Sequence, residues 1–236
     1  MQNIQEIFEA TGGEFVVPAR TLAHKADKIK AYVFDWDGVF NNAQKEAGGS
    51  SNFNEADSMG TNLLRFSHYL KHEELPLTVI LSGEKNKASF YLSTRERFNL
   101  NYYKTPHKID AVDHLCKQHK LKYDEIAFVF DDVLDLSVAA VCGVRILVNR
   151  KANPLFKQFA RKNDMADYIT AAESGNFPVR EACELIMGLN GRYNTAVSER
   201  TAYSKKYLAY IEKRNSHETK FFTRIDGKIV EKNPEE

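Results

Sequence analysis

The segment YVFDWDG, residues 32–38, decides the fold class of this 236-residue chain. Apolar β-forming residues lead directly into two aspartates, Asp35 and Asp37, and the turn-forming Gly38. Such an apolar run is typical of a strand buried on both faces, and open parallel sheets bind ligands where their strands end. The pattern also has a simpler interpretation, because an aspartate beside glycine often only forms a turn or caps a helix.

Further apolar runs repeat this strand pattern, and helical periodicity fills the intervals between them. We predict strands at residues 30–36, 77–82, 125–131, 145–149 and 166–170. We predict helices at residues 60–72, 85–98, 107–119, 134–141 and 154–163. Alternating strands and helices indicate right-handed βαβ units. The expected fold is therefore α/β, a Rossmann-like three-layer sandwich with a parallel central sheet.

Composition excludes several classes of protein. There are 33 Lys and Arg against 32 Asp and Glu, a formal net charge of +1, with 43% hydrophobic residues. These values are ordinary for globular proteins and argue against disorder or a strongly basic nucleic-acid binder. No apolar run approaches the ~20 residues of a membrane helix, and the N-terminus lacks a signal-peptide pattern. We expect a cytoplasmic protein that binds neither nucleic acid nor membrane.

The three cysteines support the same compartment. Cys116, Cys142 and Cys183 are widely spaced, lie in apolar periodic segments and show no metal-binding spacing. We predict that they are reduced core residues.

Two segments lie outside the predicted domain at residues 30–189. They are an N-terminal extension at residues 1–29 and a helical C-terminal extension at residues 190–236. Within the C-terminal extension, apolar and aromatic residues recur at helical spacing: Ala196, Tyr203, Tyr207, Tyr210 and Ile211. We predict that this stripe packs on the chain's own core or on a second copy.

A second acidic group follows the apolar run at residues 126–130. It comprises Asp131, Asp132 and Asp135. If its strand neighbours the strand before Asp35, as many as five carboxylates meet at one edge of the sheet, which is costly unless a cation neutralises them. Oxygen-only ligands favour Mg²⁺. The alternative is that Asp131 and Asp132 only cap a helix.

Two further segments add polar groups that could contact a phosphoryl group. Ser82 and Gly83 end a predicted strand, and Lys108 opens a predicted helix. Ser82 could donate a hydrogen bond to a phosphoryl oxygen, and Lys108 could offset its charge. Each feature is common alone, but the four segments in this order are hard to explain by chance.

This set resembles the four motifs of the haloacid dehalogenase superfamily of aspartyl phosphotransferases, over residues 29–189. The resemblance implies that Asp35 is the nucleophile that forms an aspartyl phosphate. It implies that Asp37 protonates the leaving oxygen and later activates water, while Ser82 and Lys108 hold the phosphoryl group. Because members that do not protonate a leaving oxygen generally lack an acid at the position of Asp37, phosphate transfer is favoured.

The same resemblance implies a magnesium site. Asp35, Asp131 and the backbone carbonyl of Asp37 would bind Mg²⁺, and Asp132 and Asp135 would support these ligands without touching the ion.

Motif spacing predicts that a large cap domain is absent. Asp35 and Ser82 are 47 residues apart, and Ser82 and Lys108 only 26. Neither interval has room for a separate cap domain, and the family resemblance implies only a short flap at residues 40–53. Closure of so open a site would come from a macromolecular substrate, the C-terminal extension or a neighbouring subunit.

Two stretches resemble the 3-deoxy-D-manno-octulosonate 8-phosphate phosphatases and their nonulosonate 9-phosphate relatives. They are FNEADSMG at residues 53–60 and GNFPVREACEL at residues 175–185. These enzymes are tetramers in which one subunit helps close the next subunit's site. The resemblance therefore implies a homotetramer whose substrate is a small phosphorylated 2-keto-3-deoxy sugar acid.

The implied substrate contacts are Ser82, Gly83, Glu84, Lys108 and Arg180. Glu84 stands where octulosonate enzymes commonly have Arg, so this position resembles the nonulosonate members better. Arg180 would meet substrate anions, or alternatively pair with Glu184 one helical turn away.

Two other functions stay open at this point. One is a non-catalytic oligomeric module of the same fold that binds a phosphorylated ligand or protein partner. The other is a phosphatase for nucleotide or phosphoprotein substrates, which an open site would admit.

Overall fold

The structure is a computed structural model that describes residues 2–46 and 49–234, so residues 47 and 48 of the predicted flap lie outside the described residues. Within that part of the chain, nine strands form one sheet. The strands are β1 (Glu14–Phe15), β2 (Ala31–Phe34), β3 (Leu77–Leu81), β4 (Leu100–Tyr103), β5 (Ile126–Phe130), β6 (Val144–Asn149), β7 (Tyr168–Glu173), β8 (Lys220–Ile225) and β9 (Lys228–Glu231).

Helices cover both faces of this sheet. They are α1 (Gln2–Ala10), α2 (Ala19–Ala26), α3 (Glu55–His72), α4 (Lys87–Glu96), α5 (Lys108–His119), α6 (Leu136–Ala139), α7 (Pro154–Lys162), α8 (Pro178–Leu189), α9 (Tyr193–Thr201) and α10 (Lys205–Asn215). Among the described helices, none has the length and apolar character that crossing a membrane requires.

The sheet is mostly parallel, with strand order β1-β7-β6-β5-β2-β3-β4-β8-β9. Only the outermost strands, β1 and β9, run antiparallel to their neighbours. Phe34 of β2 is in register with Val129 of β5 and with Ile80 of β3. The residues that follow these three strands therefore meet at one edge of the sheet. The predicted α/β fold with a parallel central sheet is confirmed.

The two faces of β2 belong to different layers of the core. Tyr32 and Phe34 pack with residues of α2, α3 and α8 on one face. Ala31 and Val33 pack with residues of α5, α6 and α7 on the other. All four residues of β2 are buried, which explains why its sequence is a continuous apolar run. The three-layer arrangement is thus present.

The segment between β2 and α3 is too short for a large cap. Residues 35–46 and 49–54 contain no helix or strand. α3 begins at Glu55, five residues before the predicted start, because the side chain of Asn54 accepts a hydrogen bond from the backbone N–H of Asp57 and caps the helix. Only a loop can therefore close the site from this side.

The N-terminal residues are part of the sandwich. β1 pairs antiparallel with β7, with Glu14 opposite Ile169. Leu22 of α2 is buried in the same core as α8. Residues 2–26 thus extend both the sheet and one helical layer.

The C-terminal extension is only partly helical, which corrects the prediction for residues 190–236. After α10, β8 pairs in parallel with β4, and β9 returns along β8. The turn consists of Asp226 and Gly227, both with positive φ, 47° and 79°, as a two-residue type I′ hairpin requires. The ring of Phe222 in β8 stacks on the ring of Tyr102 in β4. Pairing with β4 thus buries the Phe222 ring, which favours a strand over a helix in this segment.

The aromatic stripe of this extension lies on the chain's own core. Ala196, Tyr207 and Tyr210 are buried, whereas Tyr203 is exposed. The ring of Tyr210 lies 5.2 Å from that of Phe66 in α3. The stripe therefore joins α9 and α10 to the helical layer that contains α3.

We predict that Tyr210→Ala lowers the free energy of unfolding by about 3 to 5 kcal/mol, as for other buried aromatic truncations. The substitution removes a ring that is 1% exposed and a hydroxyl that donates to the backbone carbonyl of Asn62. Urea denaturation would measure the change. Leu208→Ala on the same helix is the control, since Leu208 is 53% exposed. Equal losses in both variants would show that the extension is not packed as described.

Candidate active site

Three carboxylates lie together at the carboxyl edge of the sheet. Asp35 follows β2, Asp131 follows β5, and Asp135 ends a short 3₁₀ helix at Val133–Asp135. One carboxylate oxygen from each residue lies within 4.8 Å of those of the other two. All three residues are buried. The parallel register of β2 and β5 thus produces the predicted convergence of Asp35 and Asp131, and Asp135 joins them as a full member of this acidic triad.

Lys108 is the buried cation of this cluster. It is the first residue of α5, and 4% of its surface is exposed. Its Nζ donates to Asp35 Oδ1 at 2.5 Å and also to Asp135 Oδ1. Burial lowers the pKa of the Lys108 ammonium, but the charges of the two carboxylates outweigh that effect and raise it above its ordinary value. Lys108 therefore remains charged at physiological pH.

Arg150 and Ser174 also belong to the site, although none of the sequence motifs points to them. The guanidinium of Arg150 donates to Asp131 Oδ2, and its Nε donates to Ser174 Oγ at 3.4 Å. Ser174 Oγ donates to the backbone carbonyl of Gly38 at 2.7 Å. Arg150 follows β6, the neighbour of β5. A cationic residue directly after that strand is the sequence signal that could have identified it.

The charge balance of this cluster favours a divalent cation. Burial first, and then the neighbouring carboxylates, raise the pKa of Asp35 to about 7 and that of Asp131 to about 9. Within residues 2–46 and 49–234, the three carboxylates form ion pairs with two cations, Lys108 and Arg150. A hard divalent ion with oxygen ligands would offset the remaining negative charge. The acidic triad therefore fits a magnesium-type ion, with Asp35 and Asp131 at the strand ends as the natural ligands.

Asp132 and Asp135 have separate tasks. Asp132 is exposed, and its Oδ1 accepts from the backbone N–H of Val133, which caps the 3₁₀ helix. Asp135 Oδ2 accepts from the backbone N–H of Asp132 at 3.2 Å. Helix capping, the alternative for this acidic group, thus describes Asp132, whereas Asp131 lies in the triad.

Asp37 lies against the flap. Its Oδ1 accepts from Ser51 Oγ at 2.5 Å, and its Oδ2 accepts from Lys45 Nζ at 2.6 Å. The side chain of Asp37 is 22% exposed. The carboxylate of Asp37 is therefore held by two residues of the predicted flap, Lys45 and Ser51, neither of which the motifs identify.

Ser82, Gly83 and Glu84 follow β3 at the same edge. Ser82 is buried, and its Oγ accepts from the backbone N–H of Glu84 at 3.2 Å. Because β3 is the neighbour of β2, Ser82 and Gly83 leave the sheet next to the strand that Asp35 follows. The side chain of Glu84 is exposed.

Arg180 takes the second of its two predicted arrangements. Its Nε donates to Glu184 Oε1 at 2.7 Å, and its backbone N–H donates to Asp57 Oδ1 at 2.8 Å. Within residues 2–46 and 49–234, no hydrogen bond joins Arg180 to the acidic triad. The ion pair lies within α8, and the backbone bond to Asp57 joins the start of α8 to α3.

Gly38 passes directly over Asp131. Its φ is +87°, and a Cβ placed on it would lie 2.0 Å from Asp131 Oδ2 and 2.3 Å from the guanidinium of Arg150. Such contacts are impossible without displacing the carboxylate, and L-residues rarely adopt this φ. Glycine is therefore required here for both its conformation and its size.

Comparison with known proteins finds relatives in both sequence and fold. No family model matches the chain. The sequence is 25% identical over 176 residues to the 3-deoxy-D-manno-octulosonate 8-phosphate phosphatase KdsC of Escherichia coli K12. The aligned region covers 73% of this chain and 86% of that enzyme. A hydrolase candidate of the HAD superfamily, subfamily III A, from Legionella pneumophila superposes with a TM-score of 0.64 at 26% identity, over 80% of this chain and 94% of that one. The chain is thus similar in sequence to an octulosonate phosphatase, and in sequence and fold to a hydrolase candidate of the haloacid dehalogenase superfamily.

A further structural relative carries ligands. The 3-deoxy-D-manno-octulosonate 8-phosphate phosphatase of Moraxella catarrhalis was solved with magnesium ion, phosphate ion and KDO. It shares the fold, with a TM-score of 0.61 at 22% identity, over 75% of this chain and 96% of that one. The family resemblance carried by the four segments is thus confirmed.

We predict that Gly38→Ala weakens binding of Mg²⁺ by about 10- to 100-fold, the range typical when groups that orient metal ligands are changed. The added methyl displaces the Asp131 carboxylate. Isothermal titration calorimetry would measure the dissociation constant. Gly49→Ala is the matched control, because Gly49 also has a positive φ, +76°, but a Cβ there would meet no atom within 4 Å. An unchanged dissociation constant in Gly38→Ala would contradict the proposed position of the metal site.

Proposed function

We propose that this chain is a Mg²⁺-dependent phosphatase that hydrolyses a phosphorylated 2-keto-3-deoxy sugar acid through an aspartyl phosphate on Asp35. The observation that carries the proposal is the buried Lys108, bonded to both Asp35 and Asp135 within the acidic triad. This arrangement has the nucleophile, the cation and the metal-type ligands that phosphoryl transfer needs in one place.

Asp35 is the proposed nucleophile. Its position directly after β2 fixes its backbone, since its N–H donates to Val129 O at 3.0 Å. Lys108 holds one oxygen of Asp35 and offsets charge as the anionic phosphate approaches. Asp35, Asp131 and the backbone carbonyl of Asp37 would hold Mg²⁺, which would supply further positive charge to screen the carboxylate of Asp35 from the anionic phosphate.

Asp37 is the proposed acid and base. In the first step it gives a proton to the ester oxygen as the phosphorus–oxygen bond breaks. In the second step it takes a proton from the water that hydrolyses the aspartyl phosphate. The side chain of Asp37 is partly exposed, and its carboxylate lies outside the buried acidic triad.

Ser82 and Gly83 are proposed to contact the phosphoryl oxygens, with Lys108. The Ser82 hydroxyl accepts its bond from the backbone of Glu84, so its own hydrogen is available to donate to an oxygen of the substrate. Glu84 is exposed next to it and is proposed to recognise a hydroxyl or amine of the substrate. Arg180 becomes a substrate contact only if it leaves Glu184.

A pocket lined in part by Ser51, whose hydroxyl donates to Asp37, supports a sugar as the remainder of the substrate. A cavity of about 400 Å³ lies between the flap and the start of α3, and Ser51 contributes to its wall. Its other polar lining includes five carboxamides, at Asn41, Asn42, Gln44, Asn52 and Asn54. Carboxamides both donate and accept hydrogen bonds, as sugar hydroxyls do. We therefore favour a polyhydroxylated substrate over a nucleotide or a phosphoprotein.

The assembly and location follow as parts of the same proposal. We propose a cytoplasmic homotetramer in which a neighbouring subunit covers the flap at residues 40–53. The support is the short segment between β2 and α3, whose described residues 35–46 and 49–54 form no helix or strand, together with the resemblance to the tetrameric octulosonate phosphatases. Light scattering would give the mass of the assembly.

We predict that Asp35→Asn lowers turnover of p-nitrophenyl phosphate by about 10³-fold or more, as for other nucleophile substitutions. Asparagine keeps the shape of the side chain but cannot form the acyl phosphate. The variant should fold, because burial already disfavours the charged form of Asp35. Asp113→Asn, a change at an exposed position of α5, is the control and should keep full activity. Chelation with EDTA should abolish wild-type turnover, and Mg²⁺ should restore it.

We predict the highest kcat/KM for octulosonate 8-phosphate or nonulosonate 9-phosphate within a panel that also contains nucleotides and phosphopeptides. The carboxamide cavity is the physical reason. A preference for nucleotides or phosphopeptides would contradict the sugar-acid assignment but keep the phosphatase chemistry. Absence of any turnover with retained Mg²⁺ binding would instead support a non-catalytic binding module.

A further inference from the structure

We propose that the chain carries a second ligand site, which binds a nucleotide through both its phosphates and its base. The site lies between the start of α4 and the hairpin of β8 and β9. It goes beyond the proposed phosphatase function, because the described residues that line it include none of those assigned to that function.

Two adjoining cavities form this site. The first has a volume of about 830 Å³ and lies against α4. The second has a volume of about 300 Å³ and lies where β4 and β9 end. Lys85 and Pro234 line both cavities, so the two meet at these residues. Small-molecule sites in proteins typically measure about 300 to 1,000 Å³. The pair of cavities is therefore large enough for one nucleotide.

The first cavity has aromatic walls, formed by Phe90, Tyr91 and Phe221. The rings of Phe90 and Phe221 are perpendicular, with their centroids 5.6 Å apart. Tyr91 is 60% exposed, and the guanidinium of Arg95 lies 5.8 Å from the centre of its ring. Exposed aromatic rings are the surfaces on which nucleic-acid bases stack. The first cavity therefore suits the base of a nucleotide.

Cations line both cavities, and no Asp or Glu is among the described residues that do so. The cations are Lys85, Lys87, Lys104, Arg224 and Lys232. Arg224 pairs with Asp110 at 3.0 Å. Within residues 2–46 and 49–234, none of the four lysines has a carboxylate oxygen within 4.0 Å of its Nζ. Phosphate oxygens accept charge-assisted hydrogen bonds from such ammonium groups. The lysines therefore favour a ligand with several negative charges.

Backbone contacts join the segments that carry these lysines. The N–H of Lys104 donates to the carbonyl of Glu84 at 3.4 Å, which links the segments after β3 and β4. The hydroxyl of Tyr103 donates to the carbonyl of Lys232 at 3.3 Å. The N–H of Lys232 donates in turn to the carbonyl of Phe221 at 2.9 Å. The backbone of the site is thus assembled before a ligand binds, which reduces the entropy lost on binding.

The pairing of aromatic and cationic walls selects a nucleotide among anions. Inorganic phosphate or a sugar phosphate would contact the lysines but leave the aromatic cavity unfilled. A nucleotide would place its base against the aromatic rings and its phosphates among the lysines. Because Asp35 and Lys108 line neither cavity, a nucleotide bound there is a ligand of the protein and not a substrate of Asp35.

The test is isothermal titration calorimetry with adenylyl imidodiphosphate, a nucleotide whose terminal phosphate resists hydrolysis. Protein and buffer are free of divalent metal, so that the acidic triad does not attract the probe. We expect one site with a dissociation constant below about 1 mM. Inorganic triphosphate and adenosine should each bind about 10-fold or more weakly, because each would use only one of the two cavities.

Variants test the two walls separately. Tyr91→Ala should weaken binding by about 5- to 100-fold, as loss of base stacking does. Tyr203→Ala is its control, because Tyr203 is 61% exposed and also packs on an arginine. Combined Lys85→Gln and Lys232→Gln should weaken binding by about 10-fold or more. Lys228→Gln is the control for charge, since Lys228 is exposed on β9 and lines neither cavity.

The outcomes separate this inference from the proposed function. Weaker binding in Tyr91→Ala and in the double lysine variant, with both controls unchanged, would establish the site. Absence of binding at about 1 mM probe, or equal affinity for inorganic triphosphate, would overturn it. Nucleotide that competes with p-nitrophenyl phosphate equally well in the wild type and in Tyr91→Ala would place the nucleotide at Asp35 and also overturn it. Turnover of p-nitrophenyl phosphate should be unchanged in all of these variants, so failure of this inference leaves the proposed function standing.

Discussion

The rest of the site depends on one interaction, the ammonium of Lys108 buried between Asp35 and Asp135. Adjacent parallel strands force carboxylates together at the edge of the sheet, and burial makes their charges costly. Removing one partner from such a buried ion pair typically costs about 3 to 5 kcal/mol. Lys108, the first residue of α5, therefore stabilises the buried carboxylates as well as lying beside the proposed nucleophile. Arg150 pairs with the third carboxylate of the triad, Asp131.

Sequence reasoning succeeded where the fold converts order along the chain into position in space. Asp35 and Asp131 each follow a continuous apolar strand, and parallel pairing of two such strands brings their following residues together. Strand β4 was missed because it has four residues and carries polar Asn101 within it. The hairpin of β8 and β9 was missed because its partner, β4, lies more than 110 residues earlier, although Asp226 and Gly227 are a recognised turn signal.

The missed site residues share a physical reason. Ser51 and Lys45 belong to a loop, where no periodicity fixes which side chains face inward. Arg150 and Ser174 act through contacts made by elements distant in sequence from Asp131 and Gly38. The motifs named the groups that would react, and the structure adds those that hold them. Most of the residues that hold the proposed reacting groups are uncharged or lie outside any motif.

The flap links Asp37 to the carboxamide cavity. Ser51 belongs to both, since it donates to Asp37 and forms part of the cavity wall. A substrate that enters this cavity therefore contacts the same loop that holds Asp37. One short segment thus contributes both to the wall of the cavity and to the hydrogen bonds that hold Asp37.

The two ends of the nine-stranded sheet are protected from further strand pairing. β1 has only two residues, and β9 carries Lys228 and Glu231 at its ends. Short edge strands and edge charges are the means by which natural sheets avoid joining edge to edge. We therefore expect assemblies of this chain to form through helices and loops and not by continuation of the sheet, which leaves the carboxyl edge with its acidic triad accessible to substrate.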